Sequence, residues 1–372
     1  MLMLAGGMAL ALNSCKKDES GTPSIDYIRV TNPASSDSLL VGAGQGQLIA
    51  IMGNNLKNAV EVWFNDQKAR LTPTYITNTT ILASVPSDIP KEITNTLKII
   101  FKNGFVLNYD FQVQISKPYV NSMACEFVND GDVAVIRGDF FYAPVTVTLS
   151  DGTPVDIVSL KDKEIQFTVP AGAMAGPITV ETNFGITKSN FWFRDNRNVI
   201  IGSDPYEGWH DPSLVVSNPG AGDPAKINGN YIRINKMISS WSWNELASGD
   251  AGSMPSYSKN IPDDAILNPD KYNLKFEINT LKPYNNSMIR INAGIYSSSE
   301  ADNSNYQWAP PYDTKGKWQT VVIPFETIVN SYAIKPRVNP NGYWTRLLIQ
   351  GPGDLDADIC FDTFRVVPKE DK

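Results

Sequence analysis

The chain has 372 residues, with 32 Lys and Arg against 39 Asp and Glu, a net charge of −7, and 42% hydrophobic content. That balance suits about two to four folded domains and excludes a disordered chain. An acidic chain without basic blocks is a poor phosphate binder, so nucleic acid is excluded as a partner. One histidine, His210, excludes multi-histidine metal centres. Three cysteines, Cys15, Cys125 and Cys360, exclude a disulfide framework.

Residues 1–12 are apolar and small, too few to span a bilayer as a helix, which takes about 20 residues. They read as the apolar segment of a secretory leader. No Lys or Arg precedes Cys15, so the true start is expected upstream. The tetrad Leu12-Asn13-Ser14-Cys15 resembles a bacterial lipobox, which implies cleavage before Cys15 and lipidation of its thiol. The polar, charged run Lys16 to Pro23 reads as a flexible stalk and looks like the tether that sends Bacteroidetes lipoproteins to the cell surface. Cys125 and Cys360 are then expected to be buried free thiols in different domains.

From Ile25 to about Asp195 the sequence repeats once. An alternating strand ends on glycine in Gln47 to Gly53 and in Asp132 to Gly138. A strand running into a turn follows at Val60 to Asp66 and at Val145 to Gly152. A strand ending in Val-Pro comes at Val85-Pro86 and at Val169-Pro170. Asn103-Gly104 and Asn183 to Gly185 mark the next turn, and each copy closes on aromatics, Tyr109 to Phe111 and Phe191 to Phe193. The paired landmarks fall 81–85 residues apart. Short strands with turn signals every 8–12 residues or so indicate antiparallel sandwiches. The pattern resembles the IPT/TIG immunoglobulin-like family. The strand-ending glycine is expected to supply positive φ, and the proline to end a ladder. The repeats carry no histidine and no acidic cluster at metal spacing, so they read as inert spacers.

Residues 198–372 hold six of the eight tryptophans and ten of the fifteen tyrosines. Strand-like runs at Tyr231, Tyr272, Met288, Trp318, Arg346 and Asp358 predict a larger, jelly-roll-type β-sandwich, with one short helical turn at Phe325 to Ser331. Trp318, ahead of an alternating strand, is expected in the core. His210 beside Asp211 lacks an identifiable nucleophile and is assigned a structural role, as is Trp209. Trp241 and Trp243 sit at spacing two among Ser, Asn and Glu, so on an extended segment they would share one exposed face. Tyr306, Trp308 and Tyr312 lie in an Asn- and Ser-rich stretch, and Trp344 follows Asn341-Gly342-Tyr343. Aromatic faces cover the C–H faces of sugar rings while neighbouring amides and charges reach the hydroxyls. These six aromatics form the expected glycan platform. Asp354, Asp356 and Asp358 alternate and could share a structural Ca²⁺, although the spacing lacks the glycine and glutamate of an EF-hand loop. No other cofactor or metal is expected.

Taken in order, lipobox, two TIG-like repeats and an aromatic-rich module ending in Asp362 to Pro368 resemble the surface glycan-binding proteins of Bacteroidetes polysaccharide utilisation loci. The boundaries implied are 1–22 for leader and tether, 23–115 and 116–196 for the Ig-like domains, and 197–372 for the binding sandwich. The resemblance implies a non-catalytic monomer, anchored by lipid at the outer membrane and exposed at the cell surface. It would capture a plant polysaccharide, with the β-glucan or xyloglucan class favoured, and a glycan transporter complex is a further implied partner. Two other readings remain open: a glycoside hydrolase or lyase with Ig-like spacers, and a surface adhesin or assembly protein. Hydrolysis needs a pair of carboxylates, for which Glu207, Glu245, Glu277, Glu300 and Glu326 are available. No Glu-x-Asp-x-x-Glu strand occurs.

Overall fold

A computed structural model describes residues 21–369 apart from Ser36. Cys15, the lipobox and most of the tether lie outside the described residues. The architecture is all-β: two Ig-like sandwiches followed by a larger sandwich. The chain divides into two compact units at Ser116/Lys117.

In the first unit, Ser24–Val30, Leu48–Asn54 and Thr80–Ser84 form one sheet. Gln67–Lys68, Ala59–Phe64, Thr96–Phe101 and Val106–Asp110 form a second, and Gly42–Gly44 pairs in parallel with Gln112–Gln114. Alternation along each strand turns Ile49, Ile51, Val62, Phe64, Leu97 and Ile99 into one core. The second repeat builds the same pattern at the start of the second unit. There Tyr119–Met123, Val133–Asp139, Glu164–Thr168 and Asp156–Lys161 face Val145–Thr148, Gly176–Thr182 and Gly185–Phe193.

The repeated glycines act differently from the sequence expectation. Gly53 and Gly138 are not among the positive-φ glycines. Each pairs within an antiparallel ladder, opposite Ile25 and Val120 respectively, where the first strand of the repeat is bulged. The bulge pushes a carbonyl onto the glycine. A Cβ at Gly53 would collide with the Ser24 oxygen, and one at Gly138 with the Tyr119 oxygen. The repeat conserves a close backbone approach, not a turn conformation.

The C-terminal sandwich has a sheet built on the long strand Leu355–Pro368. That strand is flanked by Tyr231–Ile238 and Val215–Val216 on one side and by Tyr272–Thr280 and Gln319–Pro324 on the other, and Val199–Ile201 adds to it. The facing sheet runs Asn244–Gly249, Trp344–Ile349, Ile289–Ile295, Tyr306–Trp308. Leu274, Phe276, Ile278, Ile289, Ile291, Leu347 and Ile349 fill the space between. The short helix Phe325–Asn330 stands where the sequence suggested a turn. A second, Asp263–Leu267, was not foreseen.

The outer face of the larger sheet does not meet solvent at its centre. Lys275, Glu277 and Arg365 point away from the core and are covered by the Cys125 to Phe127 segment of the second Ig-like sandwich. Glu126 accepts from Lys275 Nζ and from Arg365 Nη2, both at 2.6 Å, and Arg365 Nη1 donates to Glu277 at 2.7 Å. Thr320 ties the two sandwiches further: its hydroxyl accepts the Glu126 N–H at 2.7 Å and donates to Glu277 at 2.9 Å. Two acids and two bases thus neutralise one another in a buried site. Cys125 and Cys360 are buried free thiols, as expected, and burial pushes both up, Cys360 to about 12.

Candidate glycan-binding surface

The outer face of the other sheet is partly covered: Ser248, Asn292 and Leu348 are buried, whereas Glu245, Arg290 and Arg346 keep partial exposure. Its register sets which side chains share that face. Ala247 pairs with Leu347, and Leu347 faces Ile291, all turned inward. Ser248, Arg346 and Asn292 pair in the next row and turn outward, as do Glu245, Leu348 and Arg290. Beyond the edge strand Asn244–Gly249, Trp209 forms a further bridge with Ser248. Its N–H donates to the Ser248 oxygen at 2.6 Å, and it accepts from the Ser248 N–H at 3.0 Å. Directly opposed antiparallel residues share a face, so Trp209 lies in the row of Arg346, about 10 Å away at two interstrand spacings. Gly208, at φ +84, lets the chain come this close, because a Cβ there would strike the Ser248 oxygen.

Trp243, just before the edge strand, lies with the Arg346 guanidinium 5.1 Å from its ring centre. Arg346 Nε donates to Glu245 Oε1 at 3.1 Å, which holds the guanidinium in place. Trp209 is 69% exposed and Trp243 51%, large values for indoles. Ser248 and Asn292 in that row are buried, and Asn292 Nδ2 donates to the Ala301 and Ser304 oxygens, so the groups left to a ligand are the two exposed indoles with the half-buried Arg346 and Glu245, which can stack sugar rings and bind their hydroxyls.

The expected platform is thus only partly assembled. Trp241 is 54% exposed but lies in a turn, with φ +59 and its N–H donated to the Gly351 oxygen. The shared-face argument from spacing two fails for it, since that rule needs extended backbone. Tyr306 and Trp308 do share a face, but it is the inner one, because they pair with Ile291 and Ile289. Trp308 is buried, stacked on Tyr284 at 5.5 Å and edge-on to Phe276 at 5.6 Å. Tyr306 is half-buried against the same core, and Gln307 takes the outward position. Tyr312 is half-buried, packed on Trp308, and donates to Gln319 Oε1 at 3.1 Å. Trp344 is buried. Trp308 and Trp344 cannot offer a face to a ligand, and polar neighbours in sequence misread both.

Trp209 is an exposed aromatic that the expected platform did not include, and the preceding glycine permits its edge bridge. His210 is structural: its Nδ1 lies 2.7 Å from the Gly208 oxygen and its ring packs on Tyr206. Trp318 is half-buried rather than in the core. It donates Nε1–H to the Ala225 oxygen at 2.8 Å and meets Tyr231 edge-on.

The calcium expectation fails on geometry. Asp354 accepts from the Ser240 N–H, Asp356 pairs with Lys282 and Asp358 with Arg233, so the three carboxylates diverge to separate partners. No group of three or more metal-ligating side chains forms among the described residues. Four of the five glutamates weighed for hydrolysis are likewise separately engaged: Glu207 with Ser256, Glu245 with Arg346, Glu277 with Arg365 and Glu300 with Arg337.

Residues 193–368 match the family described as surface glycan-binding protein B xyloglucan binding domain, and residues 37–113 match the IPT/TIG domain. The crystal structure of surface glycan-binding protein PbSGBP-B from Prevotella bryantii superimposes with a TM-score of 0.72 at 26% identity, over 95% of this chain and 100% of that one. The chain is a homologue of the Bacteroidetes B-type surface glycan-binding proteins. A Bacteroides ovatus relative, described as an IPT/TIG domain-containing protein, is 31% identical over 251 residues. That match covers 61% of this chain and 49% of the relative, so the chain spans about half of that relative's length. The B-type protein from a complex xyloglucan utilization locus in Bacteroides uniformis shares the fold, with a TM-score of 0.52 at 18% identity over 94% of this chain and 100% of that one.

Proposed function

We propose that this homologue is a non-catalytic, lipid-anchored capture protein at the cell surface. The Ig-like regions 23–115 and 116–196 act as spacers, and the sandwich 197–372 holds a neutral plant polysaccharide of the β-glucan or xyloglucan class. The observation that carries this reading is the pair of exposed indoles, Trp209 and Trp243, at the edge of the smaller sheet beside the half-buried Arg346, while the opposite sheet is covered by a spacer. Trp241 extends the aromatic surface at the same end of the edge strand. The covered sheet orients the smaller one away from the spacer, which suits presentation of a long chain. Cys15 carries the lipid in this reading, and a glycan transporter is the downstream partner of a monomeric binder.

The test is affinity electrophoresis of the soluble chain in gels containing xyloglucan, mixed-linkage β-glucan or xylan, paired with a reducing-sugar assay. Retardation in a glucan gel without sugar release is expected. Sugar release would replace the reading with a hydrolase, and equal mobility in every gel would replace it with an adhesin.

A further inference from the structure

A cavity of about 330 Å³ opens between the second Ig-like sandwich and the larger sheet of the C-terminal one, both within the second unit. It lies on the opposite sheet from Trp209 and Trp243. Its volume falls at the lower end of the range for small-molecule sites. Ser122, Arg137 and Asn190 line it from the Ig-like side, and Asn273, Tyr312 and Lys369 from the other.

The inventory of this cleft is unusual for a mere junction. The side chains of Ser122, Asn190 and Asn273 make no hydrogen bond among the described residues, although each is only half-exposed. Two amides and a hydroxyl, all able to donate and accept, are therefore free at the walls. Arg137, opposite Glu164 in the strand register, forms no salt bridge among the described residues. Its charge acts instead on the Tyr312 hydroxyl, opposing the upward push of burial there. Lys275 is already neutralised by Glu126 at 2.6 Å. Lys369 donates to the Asp270 backbone oxygen at 2.5 Å and forms no salt bridge among the described residues. Beside the mutually paired Glu126 and Lys275, the cleft thus carries two cations without a salt bridge among the described residues, three unengaged neutral polar groups and one tyrosine ring.

We propose that this cleft is a second saccharide site, specific for a single sugar unit that bears a carboxylate. Arg137 and Lys369 face the carboxylate, Asn190, Asn273 and Ser122 take the hydroxyls, and Tyr312 lies against the ring. A guanidinium can engage a carboxylate with two parallel hydrogen bonds, which a neutral hexose cannot satisfy. A polysaccharide with acidic side units would then be held at two places on one module.

Isothermal titration calorimetry of the full chain with D-glucuronate, D-glucose and acetate tests this. Glucuronate is expected to bind in the millimolar range, with glucose and acetate each at least about tenfold weaker. Arg137→Ala should weaken glucuronate about tenfold and leave retardation in a neutral glucan gel unchanged. Trp243→Ala should do the reverse, so failure of this site and failure of the sheet-face reading are separable. Lys369→Ala repeats the charge test should Arg137→Ala not fold, as judged by its melting curve. Absence of heat with glucuronate, equal affinity for glucose, equal affinity for acetate, or an undiminished response in Arg137→Ala or its substitute would each overturn the proposal.

Discussion

The two outer faces of the C-terminal sandwich start from similar material and end in opposite states. Both present charged and polar side chains on alternate strand positions, with Ile, Leu and Phe turned inward. On the larger sheet Lys275, Glu277 and Arg365 are sealed under the second Ig-like sandwich and matched by Glu126. On the smaller sheet Arg346, Arg290 and Glu245 keep partial exposure, beside two exposed indoles, although Ser248, Asn292 and Leu348 are buried. The difference teaches that a polar strand face is not by itself a binding face. What decides is whether another domain covers it and supplies counter-charges.

That contrast can be broken most severely at its buried side. Glu126→Ala leaves the buried Lys275 and Arg365 without their shared acid, and should cost about 3–5 kcal/mol of stability. Urea denaturation measures this, and a loss below about 1 kcal/mol would show the cluster to be hydrated. Trp308→Ala should cost a comparable amount, about 3–5 kcal/mol, by opening a cavity against Tyr284 and Phe276. The same melts check it. A variant that kept its stability but lost glycan retention would restore Trp308 to the binding surface.

On the partly exposed face the expected effects are smaller and appear in binding. Trp243→Ala and Trp209→Ala should each weaken polysaccharide affinity by about 1–3 kcal/mol and leave thermal stability nearly unchanged. Affinity electrophoresis reads both. If only Trp243 mattered, the edge bridge at Trp209 would be structural alone.

The smallest effect sharpens the buried side through pH. Burial raises the Asp362 carboxyl well above the usual carboxylate range, with the Glu277 charge adding to the rise. The protonated form therefore favours the folded state. The stability it contributes is complete below about pH 4 and is lost as pH rises through the folded value. Asp362→Asn should remove this part of the pH dependence and raise the melting temperature at pH 8 or so relative to the parent chain. An unchanged slope between acid and neutral pH would show that Asp362 ionises freely.

Much of the fold was legible because its signals are local. Alternation, Val-Pro strand ends and the spaced glycines announced two Ig-like sandwiches, and the shift to longer strands and more aromatics announced a third of another kind. Gly53 and Gly138 were rightly picked as landmarks, though their reason is a bulged neighbour that only pairing reveals. The site was less legible. Trp243 stood out by its polar company, but the same company surrounds Trp308, which the sheet register turns inward. Trp209 has little in its sequence to mark it, because its face is set by a hydrogen-bonded bridge to Ser248, 39 residues away.

Sequence alone therefore determined the all-β class, the repeat and the region where aromatics concentrate, since period-two patterning and turn chemistry depend on near neighbours. Only the tertiary structure decided which tryptophans meet solvent, which charges are hidden, and where a cleft forms between sandwiches. Those outcomes depend on strand register and domain contact, which bring together residues up to 239 positions apart, as in the pairing of Glu126 with Arg365.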